Sequence, residues 1–308
     1  MRKNNLSDEI LLKLKNVIPE PRLLLNEPLS KHTTFKIGGP ADYLVFPASM
    51  NEISAIMSIT KQYNVPVTVL GNGSNILVRD KGIKGLVLKF ESEMSYIKHE
   101  GSVVIAGAGA MLADVSCYAA QYGLSGMEFA IGIPGSIGGA VFMNAGAYSG
   151  EMCQVVVAVS GVCSDGSIHR FLPMELAFGY RHSIFQDNGC IIGEVELNLQ
   201  KKEKPIITKK MDEYTMRRET KQPLEMPSAG STFKRPPGNF AGTLIEQAGL
   251  KGLQVGGAQV SMKHAGFVIN AGGATAEDVL LLIEEVQRRV YENSGVMLHP
   301  EVRIFGEE

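Results

Sequence analysis

The stretch from Gly126 to Gly150 constrains this chain more than any other. It holds seven glycines and one proline but no lysine or arginine. Each interior glycine costs an α-helix about 1 kcal/mol relative to alanine, so no ordinary helix is expected there. The stretch is also too apolar for a solvated linker. What remains is a buried or half-buried backbone that approaches something closely, because glycine lacks a Cβ and tolerates positive φ. Successive backbone N–H groups in such a loop form a concavity that holds an anion without a cationic side chain. The expectation is a phosphate cradle for a large cofactor.

A second candidate nest is Gly71-Asn-Gly-Ser-Asn75, directly after the strand-like run Val65 to Leu70, which is expected to be buried. Its two glycines suit tight turns, and Ser74 and Asn75 are hydrogen-bond donors. A simple β-turn is the competing reading, since Asn-Gly is a common turn dipeptide. Gly107-Ala-Gly-Ala-Met-Leu112 follows another strand-like run, Val103 to Ala106, and superficially matches a dinucleotide fingerprint. Leu112 stands where the third glycine or alanine belongs, and no strand ending in an acidic residue follows at the expected distance. The helix it opens, with Leu112, Val115, Tyr118 and Ala119, is expected only to pack ahead of the glycine-rich stretch.

With 308 residues the chain has room for two domains, or for three small ones. Hydrophobic residues make up 44% and charged residues 20%, the balance of an ordinary globular protein. A net charge of −2 gives no reason to expect nucleic acid or an anionic membrane as partner. The first residues carry charges with no apolar segment behind them, unlike a secretory signal. No run approaches the ~20 apolar residues of a membrane span. Cys117, Cys153, Cys163 and Cys190 show no metal-ligand spacing, so no metal is expected. They are expected to be reduced core residues of a cytoplasmic protein.

Other signals order the rest of the chain. A helix is expected from Leu11 to Val17, then an extended lead-in marked by Pro19, Pro21 and Pro28, then a strand from Tyr43 to Phe46. Ser49 and Glu52 have capping-box spacing, with Ile53, Ile56, Met57 and Tyr63 on one face of the helix behind them. A strand-like run covers Gly85 to Lys89. After Gly150 the pattern is β-rich: Val155 to Val162, a turn at Ser164–Ser167 closing a hairpin, Ile168 to Leu172, and Cys190 to Leu199. Between them Arg181 lies among aromatics on a short connection, so it either projects into a cleft or stacks at the surface. Residues 201–210 are polar and basic and read as a linker. A polar helix at Asp212–Glu219, an irregular segment at Pro227–Gly238 and a helix at Ala241–Ala248 follow. A helix capped by Thr275 and Asp278 carries Val279, Leu282, Val286 and Val290, and a final strand runs from Glu301 to Phe305.

Eight pieces, in order, resemble one family: Thr33–Gly39, Gly71–Asn75, Gly132–Ala140, Asn144–Tyr148, Tyr180–Phe185, Ala229–Lys234, Ala241–Glu246 and His299–Arg303. The resemblance is to the UDP-N-acetylenolpyruvoylglucosamine reductases, flavoenzymes of peptidoglycan precursor synthesis. It implies an α+β architecture. A two-lobed FAD-binding domain of the vanillyl-alcohol oxidase or para-cresol methylhydroxylase type would be followed by a C-terminal α+β substrate-binding domain. On this chain the implied division is 1–30 as lead-in, 31–200 as FAD domain with lobes near 31–90 and 91–200, 201–210 as linker, and 211–308 as substrate domain. Non-covalent FAD would be held by Leu70, Gly71, Asn72, Gly73, Ser74 and Asn75 on one side. On the other stand Gly132, Pro134, Gly135, Ser136, Gly139 and Ala140, with Gly146 along the flavin. N–H dipoles would neutralise the diphosphate, which accounts for two loops without lysine.

The implied reaction has NADPH reduce FAD, after which a hydride reaches C3 of an enolpyruvyl ether and a proton reaches C2. An enol ether accepts hydride poorly, so its carboxylate must help hold developing negative charge. The family's catalytic residues fall on Arg181, Ser231 and Glu301: Ser231 as proton donor, Arg181 and Glu301 as stabilisers of the enolate-like intermediate. A serine hydroxyl does this only in a desolvated, hydrogen-bonded setting facing a strong base. Lys221, Arg235 and Tyr180 are the implied substrate contacts. His182 departs from the acidic residue that often follows the arginine. The chain resembles the form without an extra tyrosine lid loop, so no lid tyrosine is expected. The alternatives are another FAD-dependent oxidase or dehydrogenase of this fold, acting on a sugar or hydroxy acid, and a non-catalytic nucleotide-sugar-binding regulator.

Overall fold

Among the described residues, apolar residues at helical and alternating spacings build one large core in each of two units, with a small third cluster of Ala120, Ile207 and Met211. The computed structural model describes residues 2–308. The first unit takes the chain up to Leu25, Tyr43–Asn72 and Gly85–Met216; the second takes Asn26–Asp42, Gly73–Lys84 and Arg217–Glu308. The contact-defined division is thus discontinuous in sequence, unlike the contiguous segments drawn from the motifs.

In the first unit, helix α1 spans Arg2–Lys15, a longer and earlier element than the expected Leu11–Val17. Helix α2 spans Met50–Gln62 and buries Ile53, Ile56 and Met57. Ser49 caps it, its hydroxyl accepting the Glu52 N–H at 3.2 Å. Only this half of the expected box forms. The Glu52 carboxylate accepts the Ala48 N–H at 2.7 Å and takes a fork of bonds from Arg22 at 2.6 and 2.9 Å. The stronger, charge-assisted partner comes from 30 residues away and wins the carboxylate.

Strand Val67–Leu70 runs parallel to Ile83–Lys89 at the edge of a sheet ordered Leu23–Pro28, Pro40–Val45, Ile83–Lys89, Val67–Leu70. At an edge only Leu70 is buried and Val69 is exposed, which corrects the expected buried strand. A five-stranded antiparallel sheet follows in the order Ile168–Phe171, Val156–Val162, Ile191–Asn198, Val103–Gly107, Ile97–Glu100. The expected hairpin is its outer pair, with Val162 opposite Ile168. Helix α3, Leu112–Gln121, and the short helix α4, Ile137–Phe142, belong to this unit, α4 packing against the two strands Ile191–Asn198 and Val103–Gly107.

The presence of α4 inside the glycine-rich stretch is a departure from expectation. Its reason is tertiary: a Cβ on Gly138 would stand 2.9 Å from the Cβ of Ala108, so close packing repays the poor helix propensity. Helix α5, Lys204–Lys221, is a second departure. Most of the expected linker 201–210 is helical, and Ile207 and Met211 bury the one apolar stripe of an otherwise polar sequence.

The cysteines also correct the sequence reading. Cys163 and Cys190 form a disulfide, and Cys117 and Cys153 are exposed. Val162 pairs with Ile191, which sets the next residue on each strand, Cys163 and Cys190, side by side. Cys117 lies on the outer face of α3.

The second unit is built on the sheet Ser228–Ser231, Phe267–Asn270, Ala258–Val260, Gln254–Val255. The last three strands are too short to show an alternation in the sequence, and the irregular segment 227–238 contains the first. Helix α6 is Ala241–Gln247 and helix α7 is Ala276–Ser294. Helix α7 buries Val279, Leu282, Ile283, Val286 and Val290 and packs on the Gln254–Val260 hairpin. Its capping box forms in full, Thr275 and Asp278 exchanging bonds at 3.1 and 3.0 Å. The C-terminal strand, Arg303–Phe305, runs parallel to Ile76–Val78. The protein is α+β. Among the described residues no helix is long and apolar enough to cross a membrane.

Candidate active site

In the first unit the two glycine loops meet. Leu70 is buried at the end of its strand, and a Cβ added to Gly71 would stand 2.7 Å from the Ser136 hydroxyl. Only glycine lets the strand end this close to the opposite loop. The Asn72 side chain donates to the Pro134 carbonyl at 2.7 Å, tying the loops together. The second loop is clamped from behind: the Leu112 N–H donates to Gly135 O at 2.9 Å and the Ile137 N–H to Ala110 O at 2.8 Å. Gly132 sits in a turn closed by the Ile133 N–H on Ala130 O at 3.0 Å. Ser136 caps α4 by accepting the Gly139 N–H at 3.4 Å, and Ala140 N–H donates to Ser136 O at 2.9 Å. Gly146 pairs with Glu151 in a two-residue ladder. The lining is therefore backbone, small side chains and hydroxyls, with no lysine or arginine in either loop. It fits a phosphate-bearing cofactor held by N–H dipoles. Glu128, upstream on the same stretch, is raised by desolvation but held below its usual value by the Ser125 hydroxyl and the Gly126 N–H.

The same unit presents Tyr180 and Arg181 at the tip of a tight turn. Gly179 and His182 exchange backbone bonds at 3.1 and 3.2 Å. Arg181 takes φ 55°, in the left-handed region that costs a branched or bulky residue of order 1 kcal/mol or more. Three side chains hold it there. Gln186 donates to Arg181 O and to Phe142 O, both at 2.9 Å; Ser183 donates to Phe142 O at 2.9 Å. Buried Asn144 donates to Gly179 O at 3.0 Å and to the Glu151 carboxylate at 3.2 Å. The guanidinium carbon of Arg181 lies 5.2 Å from the centroid of exposed Tyr180, the stacked member of the two expected arrangements. His182 pairs with Asp187 at 3.2 Å.

In the second unit Gly73, Ser74 and Asn75 stand with Ser231 and Glu301. Thr34 anchors this corner, its N–H donating to Gly73 O at 3.1 Å and its hydroxyl to Ser228 O at 2.6 Å. The Asn75 amide donates to Glu301 O at 3.4 Å, and the Arg303 N–H donates to Asn75 O at 3.0 Å. Glu301 N–H donates to Thr232 O at 2.8 Å, and Lys234 N–H to His299 O at 2.8 Å. Ser231 and Glu301 thus lie on neighbouring backbones, 70 residues apart in sequence by their numbers. Ser231 is exposed at the end of its strand and opposite Phe267. Beside this pair burial pushes the Arg303 guanidinium below its ordinary value. Lys221 is the exposed last residue of α5, and the Arg235 guanidinium lies 4.1 Å from the Phe240 ring centroid.

Gln186 holds the Arg181 turn but was not singled out in the sequence, and Ser183, Thr34 and Thr232 stood there inside motifs with no role assigned. Each has a partner far along the chain, 44 residues away for Gln186, 41 for Ser183 and 194 for Thr34, so no local spacing marks those contacts. Asn144 was visible only as part of a motif.

Two family models match the chain: an FAD binding domain over residues 41–172, and the UDP-N-acetylenolpyruvoylglucosamine reductase C-terminal domain over residues 222–305. Two curated UDP-N-acetylenolpyruvoylglucosamine reductases are similar over nearly their full lengths. That of Clostridium perfringens (strain SM101 / Type A) is 52% identical, over 94% of this chain and 95% of the relative. That of Caldanaerobacter subterraneus subsp. tengcongensis is 50% identical, over 97% of this chain and 99% of the relative. Among solved structures, UDP-N-acetylenolpyruvylglucosamine reductase from Thermus caldophilus superposes with a TM-score of 0.79 at 39% identity, over 92% of this chain and 98% of that one. The ordered motifs, the matched domains and the full-length relatives agree, and this chain belongs to the UDP-N-acetylenolpyruvoylglucosamine reductase family of FAD-containing oxidoreductases.

Proposed function

We propose that this protein reduces the enolpyruvyl ether of UDP-N-acetylglucosamine to UDP-N-acetylmuramate, with NADPH as reductant, in peptidoglycan precursor synthesis. The observation that carries the reading is the joined pair of loops, Gly71–Asn72 against Pro134–Gly139, where a single Cβ would collide with Ser136. The chemistry FAD supplies when bound there is hydride carriage, from NADPH to C3 of the enolpyruvyl ether. Residues 31–200, in two lobes, are proposed to bind it, and residues 211–308 to bind the nucleotide sugar. NADPH and a nucleotide sugar are both cytoplasmic reagents, and the reading places the enzyme there.

The remaining work falls to side chains. Arg181 is proposed to pair with the substrate carboxylate, drawing off the negative charge that develops as C3 gains its hydride. Its backbone is locked by Gln186, so the guanidinium begins from a fixed root. Glu301 is proposed to help stabilise the same enolate-like intermediate, and Ser231 to deliver its proton to C2. Lys221, Arg235 and Tyr180 are the proposed contacts to the rest of the nucleotide sugar, the two cations toward its diphosphate.

Anaerobic mixing separates the two halves of the reaction. NADPH should bleach the flavin absorbance, and the enolpyruvyl nucleotide added afterwards should restore it. A protein that stays colourless and cannot be loaded with FAD sinks the reading. Bleaching with no recovery on adding that nucleotide, but recovery with a sugar or hydroxy-acid acceptor, would select the alternative flavoenzyme.

A further inference from the structure

Cys163 and Cys190 close a chemically distinct boundary around the Arg181 turn. Cys163 directly follows the strand Val156–Val162, and Cys190 directly precedes the strand Ile191–Asn198. The bond between them, over a sequence separation of 27, continues the ladder whose last pair is Val162 with Ile191. The turn itself lies inside that loop, and it is also held from outside by Asn144 and by the Phe142 carbonyl. The loop contains Gly179 and His182, which close the turn, and Gln186, which holds Arg181 O. It also contains Phe185, whose ring packs edge-on against Phe171 at 4.9 Å. The cradle residues at 70–75 and 132–146 lie outside it. Both cysteines are half-buried, within reach of a small thiol.

We propose that Cys163 and Cys190 form a thiol–disulfide switch that sets how firmly the Arg181 turn is held, operated by a low-molecular-weight disulfide and its thiol. One protein thiolate attacks the small disulfide, forms a mixed disulfide and releases one small thiol. The other protein thiolate then attacks the protein sulfur of that mixed disulfide and expels the second small thiol. Two protein thiols lose two electrons and two protons, and one small disulfide becomes two thiols. The closed form ties the loop at its base; the open form leaves only backbone pairing there. A turn that already holds a left-handed arginine depends on its surroundings to stay in place.

The consequence is selective, and it rests on the role proposed for Arg181. Opening the bond should raise the KM for the enolpyruvyl nucleotide about fivefold, the cost of looser positioning, with kcat and flavin content little changed. The thermal midpoint should fall by roughly 5 °C as a loop of this length is released.

The test uses the FAD-loaded protein equilibrated with either oxidised glutathione or dithiothreitol, then labelled with N-ethylmaleimide and weighed intact. The expected result is two labels after glutathione disulfide, on Cys117 and Cys153, and four after dithiothreitol. KM should follow the label count reversibly, and a Cys163→Ser/Cys190→Ser variant should show the open-form KM in both conditions. Should that variant fail to fold, a Cys117→Ser/Cys153→Ser variant, which keeps only the proposed pair, should give the full response. Four labels in both conditions overturn the switch, and so does a pair that closes without moving KM by more than about twofold. Labels and melting are read without turnover, so an enzyme with a different substrate would fail the function assay while leaving these two readouts intact.

Discussion

Arg181 and Ser231, both proposed as catalytic residues, are each held in their own unit by a different physical means. Arg181 is held by its backbone, in a left-handed conformation maintained by Gln186, Ser183 and Asn144. Ser231 is placed by strand pairing opposite Phe267 and by the neighbouring Thr232–Glu301 bond. A proton donor acts only in the half-reaction that protonates carbon. Ser231→Ala should therefore still be bleached by NADPH within about twofold of the parent rate, while reoxidation by the enolpyruvyl nucleotide slows by roughly 10³-fold. Stopped-flow absorbance reads both steps, and normal reoxidation would remove Ser231 from its role. Both residues stood out in the sequence through motifs alone. Of the side chains that hold them, Asn144, Ser183 and Thr232 stood inside motifs without an assigned role and Gln186 in none, because a side chain whose partner is distant carries no spacing signal.

Among the elements, helix α7 shows how local and tertiary caps add. Thr275 and Asp278 close the capping box that the sequence announces. Asp80, almost 200 positions away, adds a second cap by accepting the Ala276 N–H at 2.9 Å and the Glu277 N–H at 3.2 Å. Four N–H groups at a helix start lack internal partners, so both caps have work. Asp80→Ala should lower unfolding stability by about 1–2 kcal/mol in urea melts, while Glu277→Ala changes it by less than about 0.5 kcal/mol. Elements with long periodicity, α2 and α7, and the hairpin around Ser164–Ser167 were legible. Helices α4 and α5 were not: glycine content hid the first and polarity the second, and packing overrode both. The strands between Gln254 and Asn270 are two to four residues long and leave no alternation to read.

At the scale of the molecule, each unit has its own core, and the Gly71–Asn75 loop passes from one to the other between Asn72 and Gly73. A ligand that binds only the folded loops stabilises them by mass action. FAD at about 100 times its Kd should add roughly 2.7 kcal/mol to unfolding, and its removal should lower the melting temperature accordingly. Gly71→Val should abolish that FAD-dependent gain while leaving circular dichroism unchanged; an undiminished gain would remove Gly71 from the cradle. By itself the sequence determined the chemistry on offer: two glycine-rich, lysine-free loops, an ordered set of family motifs, and periodic helices able to bury a face. Backbone permissiveness and hydrophobic spacing are local properties, written in neighbouring residues. Only the tertiary structure decided that Ser136 would oppose Gly71, that Glu52 would leave its cap for Arg22, that Glu301 would lie beside Ser231, and that two of four cysteines would join. Each of those is a contact between residues far apart in sequence, settled by which pairing best satisfies buried polar groups and close packing at once.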